Sequence, residues 1–231
     1  MAITASHLTD GYSGTDANSY ATASVSPTAN SLVLLKVYHA LSTGSITTPT
    51  ASGAGLTFTA VQTLTQGADP VRRITIFRGL SASPSSGAIT IDFGGQTQDN
   101  CTWSVDEFAG IDTSGSNGSG AIVQSGTESK NNSSPGTGVT VTLSAFADAN
   151  NAAYGSIRAS NTTTDTIVGS GFSSLEDKTG SESGTHTTEW KNSQDTTVDW
   201  TWESSTRTAM AIGIEVAIAP AVTNSGMFLV M

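Results

Sequence analysis

The chain is poor in charge, poor in cysteine and free of long apolar runs. Charged residues make up only 12% of its 231 positions, against about 25% in an ordinary soluble domain. Only nine are Lys or Arg, and the net charge is −10. With the cations scattered, no basic face is evident. A role in wrapping nucleic acid, which needs its phosphates neutralised, is therefore not expected, nor is one at an anionic membrane surface. One cysteine, Cys101, excludes an internal disulfide. It alternates with Trp103 and Val105 and reads as a small buried hydrophobe rather than a reactive thiol. No apolar run approaches the ~18 residues of a membrane span. The start, Met1-Ala-Ile-Thr-Ala-Ser6, has neither the basic nor the apolar region of a signal peptide. The expected place of synthesis is the cytoplasm.

Serine, threonine and glycine abound, so solubility rests on hydroxyl groups. Apolar residues recur with a period of two, and no 3.6-residue period persists over three turns. Strands are expected at 31–40, 56–64, 71–78, 88–93 and 100–108. A second set is expected at 121–125, 139–143, 152–159, 166–169, 187–191, 197–202 and 208–218. They are parted by Gly, Ser, Asn and Pro clusters. In Ser31–Ala40 both faces are apolar, as in a central strand covered on two sides. The fold class is all-β: a two-sheet antiparallel sandwich, jelly-roll-like, of about twelve strands with a single core and almost no helix. Residues 1–28 form an N-terminal arm and first strand, 29–220 one sandwich domain, and 221–231 a tail with an apolar end. The polar segments 126–137 and 173–185 read as long surface loops, where a sandwich usually carries its function.

Little in the chain suggests chemistry. His7, His39 and His186 are far apart in sequence and lack partners at zinc-ligand spacing. Asp92, Asp99, Asp106 and Asp112 do not form a calcium-loop pattern. Asp106 and Glu107 are adjacent on a strand and point to opposite faces, so they cannot flank one glycosidic bond. Glu107 reads as a strand-end hydrogen-bond acceptor. No serine motif sits on a strand–turn–helix elbow. No catalytic residue, metal or cofactor is expected. Trp200 and Trp202 share a strand face, with Trp190 on the strand before. Buried, they are core, and this is the favoured reading; exposed, they would form a sugar-stacking platform. Beyond Pro220 a polar spacer leads to Met227, Phe228, Leu229, Val230 and Met231. An exposed apolar end of this kind is an aggregation hazard. Either it folds back on its own domain or it docks on a partner.

Six pieces carry a resemblance: Ala29-Asn-Ser-Leu-Val-Leu-Leu35, Gly55-Leu-Thr-Phe-Thr59, Arg73-Ile-Thr-Ile-Phe77, Ser86-Gly-Ala-Ile-Thr-Ile91, Val105-Asp-Glu-Phe-Ala-Gly-Ile-Asp112 and the closing Ala209–Pro220. In this order and spacing, over about residues 29–220, the chain resembles jelly-roll-like β-sandwich proteins of tailed phages and bacterial surfaces. The resemblance implies a structural or adhesive module and brings no catalytic residues. The start (1–27) and the tail (227–231) depart from the family pattern. The expectation is a non-enzymatic virion protein of a tailed phage, in its most specific form a capsid decoration protein docking through its terminal arms. The partners would be further copies of itself and a capsid or tail protein. The alternatives are a tail or fibre component, or an adhesin that binds surface glycans through its loops and tryptophans.

Overall fold

The computed structural model describes residues 2–67, 70–131, 136–160, 166–181, 184–202 and 207–221. The described residues contain no helix and seventeen strands. The first half of the chain holds β1 (Thr4–Ser13), β2 (Ser19–Ala21), β3 (Leu32–Leu41), β4 (Thr50–Gly53), β5 (Leu56–Thr57), β6 (Thr59–Gln66), β7 (Val71–Gly79), β8 (Ile89–Asp92) and β9 (Asn100–Ala109). The second holds β10 (Ile122–Lys130), β11 (Gly138–Thr142), β12 (Ala152–Ala159), β13 (Ile167–Val168), β14 (Ser173–Ser181), β15 (Gly184–Lys191), β16 (Thr197–Thr201) and β17 (Ala209–Val216).

They form four antiparallel sheets. Two are five-stranded, β1-β9-β3-β7-β6 and β10-β17-β12-β15-β14; two are smaller, β2-β8-β4-β5 and β11-β16-β13. If the short β5 is set aside and the strands are counted within each half, both large sheets run 1-8-3-6-5 and both small sheets 2-7-4. Each half is thus a jelly-roll-like wrap of two Greek keys, and the chain contains the wrap twice. The two large sheets face each other and make the central two-sheet sandwich. Each small sheet covers the outer face of its own large sheet.

The layering explains the burial pattern. Strand β3 is apolar on both faces because each face has a core. Leu32, Leu34 and Tyr38 enter the central cluster with Ile74, Ile76, Phe108, Ile212 and Ile214. Val33, Leu35 and Val37 enter an outer cluster with Ile89, Ile91, Phe93 and Trp103. In the second half, Val139, Val141, Ile157, Val198, Trp200 and Trp202 form the matching outer cluster. The expected single core is therefore three stacked ones. A strand buried on two sides requires a cover on each side, which a lone pair of sheets cannot supply.

Short sequence echoes mark the duplication. Thr28-Ala-Asn-Ser31 precedes β3 and Asp148-Ala-Asn-Asn151 precedes β12. Each makes the same turn, with Ser31 N donating to Thr28 O and Asn151 N to Asp148 O. Glu107-Phe-Ala ends β9, and Glu215-Val ends β17 with Ala217 just beyond. The two strand ends meet at an Ile111–Ile218 bridge. Asp112 N and Ala219 N donate there to Ala217 O and Gly110 O.

One expected loop, 173–185, is largely strand, and the other, 126–137, is strand in its first part. Residues 126–130 belong to β10 and 173–181 to β14. Both are edge strands of the large sheets, with one row of backbone groups unpaired and much of their surface wet, so they need few apolar side chains. Residues 4–13 of the expected arm are β1, paired along its length with β9.

Candidate functional site

The tryptophans give up the stacking role. Trp200 is fully buried and Trp202 nearly so, both in the outer core of the second half. Trp202 Nε1 donates to Gly136 O at 2.9 Å. Trp190 is half-buried, on the opposite face of its sheet, edge-on to Phe108 at 6.2 Å. The three rings share no exposed face, so the glycan platform is corrected to core packing: Trp200, on β16 of the small sheet, and Trp202 just beyond it turn inward against the large sheet. Met227, Phe228, Leu229, Val230 and Met231 lie outside the described residues.

Cys101 is buried in the first outer core, and burial pushes its thiol pKa well up. His39 is buried beside Phe93 with Nδ1 2.8 Å from Gln98 Oε1; burial lowers its pKa to about 4. Glu107 receives the backbone N–H and the hydroxyl of Thr28. Its counterpart Glu215, fully buried, receives Ala147 N at 2.8 Å, Asn151 Nδ2 at 2.6 Å and Gln124 Nε2 at 2.6 Å. Both carboxylates fasten the turn that leads into the next central strand. Glu189 accepts Gly169 N at 3.0 Å, and burial raises its pKa to about 8.

The densest ionisable constellation lies where sequence reasoning did not look, between the two large sheets. Asp106, on the inner face of β9, is fully buried. His7 Nδ1 on β1 lies 2.8 Å from its Oδ1. Tyr154 on β12, in the other half, donates its hydroxyl to Oδ2 at 3.0 Å. Asp10 Oδ1 lies 3.4 Å from His7 Nε2. Close by, the buried Lys36 of β3 donates to Glu176 of β14, again across the halves. The hydrogen bond to Asp106 raises the pKa of His7, although its partial burial opposes this. Burial raises Glu176, and Lys36 counters part of the rise. Burial and the Asp106 charge push the Tyr154 phenol well above its ordinary value. One signal in the chain did point here. Lys36 interrupts Leu34-Leu35-Lys36-Val37 in a strand apolar on both faces, and a charge in such a position needs a buried partner.

An Asp–His pair resembles a general-base dyad. Here, however, the free imidazole nitrogen faces Asp10. Three well-formed surface depressions among the described residues are lined by other residues: Thr65, Gln66 and Arg72; Phe146 and Asp195; Asp148 and Pro220. None of these three is lined by His7, Asp106 or Tyr154. Among the described residues no group of three His, Cys, Asp or Glu could hold a metal ion. The arrangement ties sheets together. Comparison with family models, with curated proteins and with solved structures found no match.

Proposed function

We propose that the protein is a non-enzymatic structural component of a tailed-phage virion, a capsid decoration protein that docks through its chain ends. The supporting observation is the meeting of both ends of the described chain at one pole. Ala2 O lies against Gly110, where an added Cβ would sit 2.5 Å from it. Ala219 N donates to Gly110 O at 2.9 Å. The apolar residues 227–231 follow in sequence from that same pole. Burying them on a shell would contribute about 5–10 kcal/mol before the entropy of ordering is subtracted. The body beyond would be displayed outward, its charged groups engaged in fastening turns and sheets. A place in a tail or fibre rests on the same docking and differs only in the partner. The glycan reading has lost its tryptophans to the core and much of its expected loops to edge strands.

The test is a chain ending at residue 221. It should melt as cooperatively as the full chain but no longer co-sediment with purified phage particles. Unchanged co-sedimentation with lost melting cooperativity would make the tail a core element and remove the docking argument. Mass spectrometry of the particles locates the protein on capsid or tail.

A further inference from the structure

The layer between the large sheets is apolar along one stretch and ionisable along another, and the ionisable stretch is out of balance. Lys36 is the cation paired with a carboxylate there, while Arg158 lies farther along the layer over Tyr38. Asp106 and Glu176 are buried carboxylates, and Asp10 stands at its edge. Each half contributes to each tie: Asp106 reaches Tyr154, and Lys36 reaches Glu176. Asp106 is held by Tyr154 and Ser104, both neutral, and His7 is the group placed to set a cation beside it. Its ring touches Asp106 on one side and Asp10 on the other, and its side chain is 25% exposed. Solvent protons can therefore reach it while its partner stays dry.

We propose that this array is a proton-operated latch between the two halves, with His7 as the group that takes up the proton and mildly acid surroundings as the condition that closes it. It does not depend on the virion reading.

Among the described side chains, those facing His7 from its neighbours all favour the charged ring. They are Asp106 from β9, Asp10 from β1 itself and Glu176 from β14, which lies against β1. Asp177, next on β14, is exposed. Tyr154 of β12 and Lys36 of β3 act through the two carboxylates. Farther along, Arg158 stands over the Tyr38 ring at 5.1 Å, and His186 meets the same ring. The charges that act on His7 and Glu176 are the nearer ones. With His7 neutral, Asp106 is a buried anion held by neutral donors. With His7 protonated it is half of an ion pair, and its field on Glu176 is offset. Since the His7 pKa is raised above the ordinary 6.5, the extra stability is fully present below that value. It is lost as pH rises through the higher folded value. A raised Glu176 works in the same direction, so the folded protein holds protons that the unfolded chain releases.

The experiment is a ring-proton NMR titration of the full chain, with amide exchange followed at β14 and β15 between pH 6 and 9 and corrected for intrinsic rates. His39, at about 4, titrates below this window, and a His186→Gln variant separates the signals of His7 from those of His186. We expect a His7 midpoint above 6.5. Protection across the seam should fall about tenfold for each unit of that excess. His7→Gln and Asp106→Asn should both flatten the profile. A His7 midpoint at or below 6.5, or a His7→Gln protein with the same pH profile, overturns the proposal. If both variants fail to fold, the wild-type titration still decides.

Discussion

Replacing Glu215 by alanine should cost far more than the same change at Glu107, although the two occupy equivalent places in the two halves. Hydrogen bonds to a charged group are worth about 1.5–3 kcal/mol each, and a buried donor left empty costs about as much. Glu215 serves three donors, Ala147 N, Asn151 Nδ2 and Gln124 Nε2. Asn151 is 3% exposed, so its amide loses a partner that water cannot readily replace. Gln124 also donates to Ser144 O and recovers part of its loss. The sum is about 3–5 kcal/mol for Glu215→Ala. For Glu107 both donors belong to Thr28, which is exposed, so water substitutes and about 1–2 kcal/mol is expected. In a chain of this length the larger loss lowers Tm by roughly 10 °C. Urea unfolding followed by tryptophan fluorescence measures both variants under one set of conditions. Equal losses, or a loss under about 1 kcal/mol at Glu215, would refute the claim that these carboxylates fasten turns to different depths.

Gly155→Ala places a Cβ 2.4 Å from Val198 Cγ1 and 2.7 Å from the Trp200 ring; overpacking of this kind should cost about 1–3 kcal/mol in the same assay, and Trp200→Phe on top should recover part of it. Cys101 in the native protein should resist a thiol reagent for as long as the fold persists and react at once in denaturant, as its burial and raised pKa require; labelling at a rate independent of unfolding would contradict the first outer core.

The central strands were legible because their composition is forced. Leu32–Leu41, Ala152–Ala159 and Ala209–Val216 are apolar on alternate or both faces, and no other element accommodates that pattern. Of the edge strands, β10 was legible only in its first residues, within the expected 121–125, and β14 was not legible. Ile122–Lys130 and Ser173–Ser181 need to present only a residue such as Leu175 inward, and the rest resembles a polar loop. The duplication was hidden for a related reason. Its halves keep a topology, while common residues survive only at turns and fasteners, as in Thr28-Ala-Asn against Asp148-Ala-Asn and Glu107-Phe-Ala against Glu215-Val-Ala. The inter-sheet array was missed because His7, Lys36, Asp106, Tyr154 and Glu176 stand far apart along the chain. Only the face-to-face stacking of the large sheets makes them neighbours.

The meeting of both ends of the described chain at Gly110 has a topological consequence. The first half leaves β9 at that pole, the second begins beyond the turn at 112–121, and the last strand returns to the Ile111–Ile218 bridge. A short link from residue 221 back to Ala2 would therefore close the chain into a ring with little rearrangement of the sheets. Opening the ring within 112–120 would give a permuted protein with its second half first. If the sheets and their shared layer define the molecule, the order in which the ribosome delivers the halves is a matter of folding kinetics, and the permuted chain should reach the same fold.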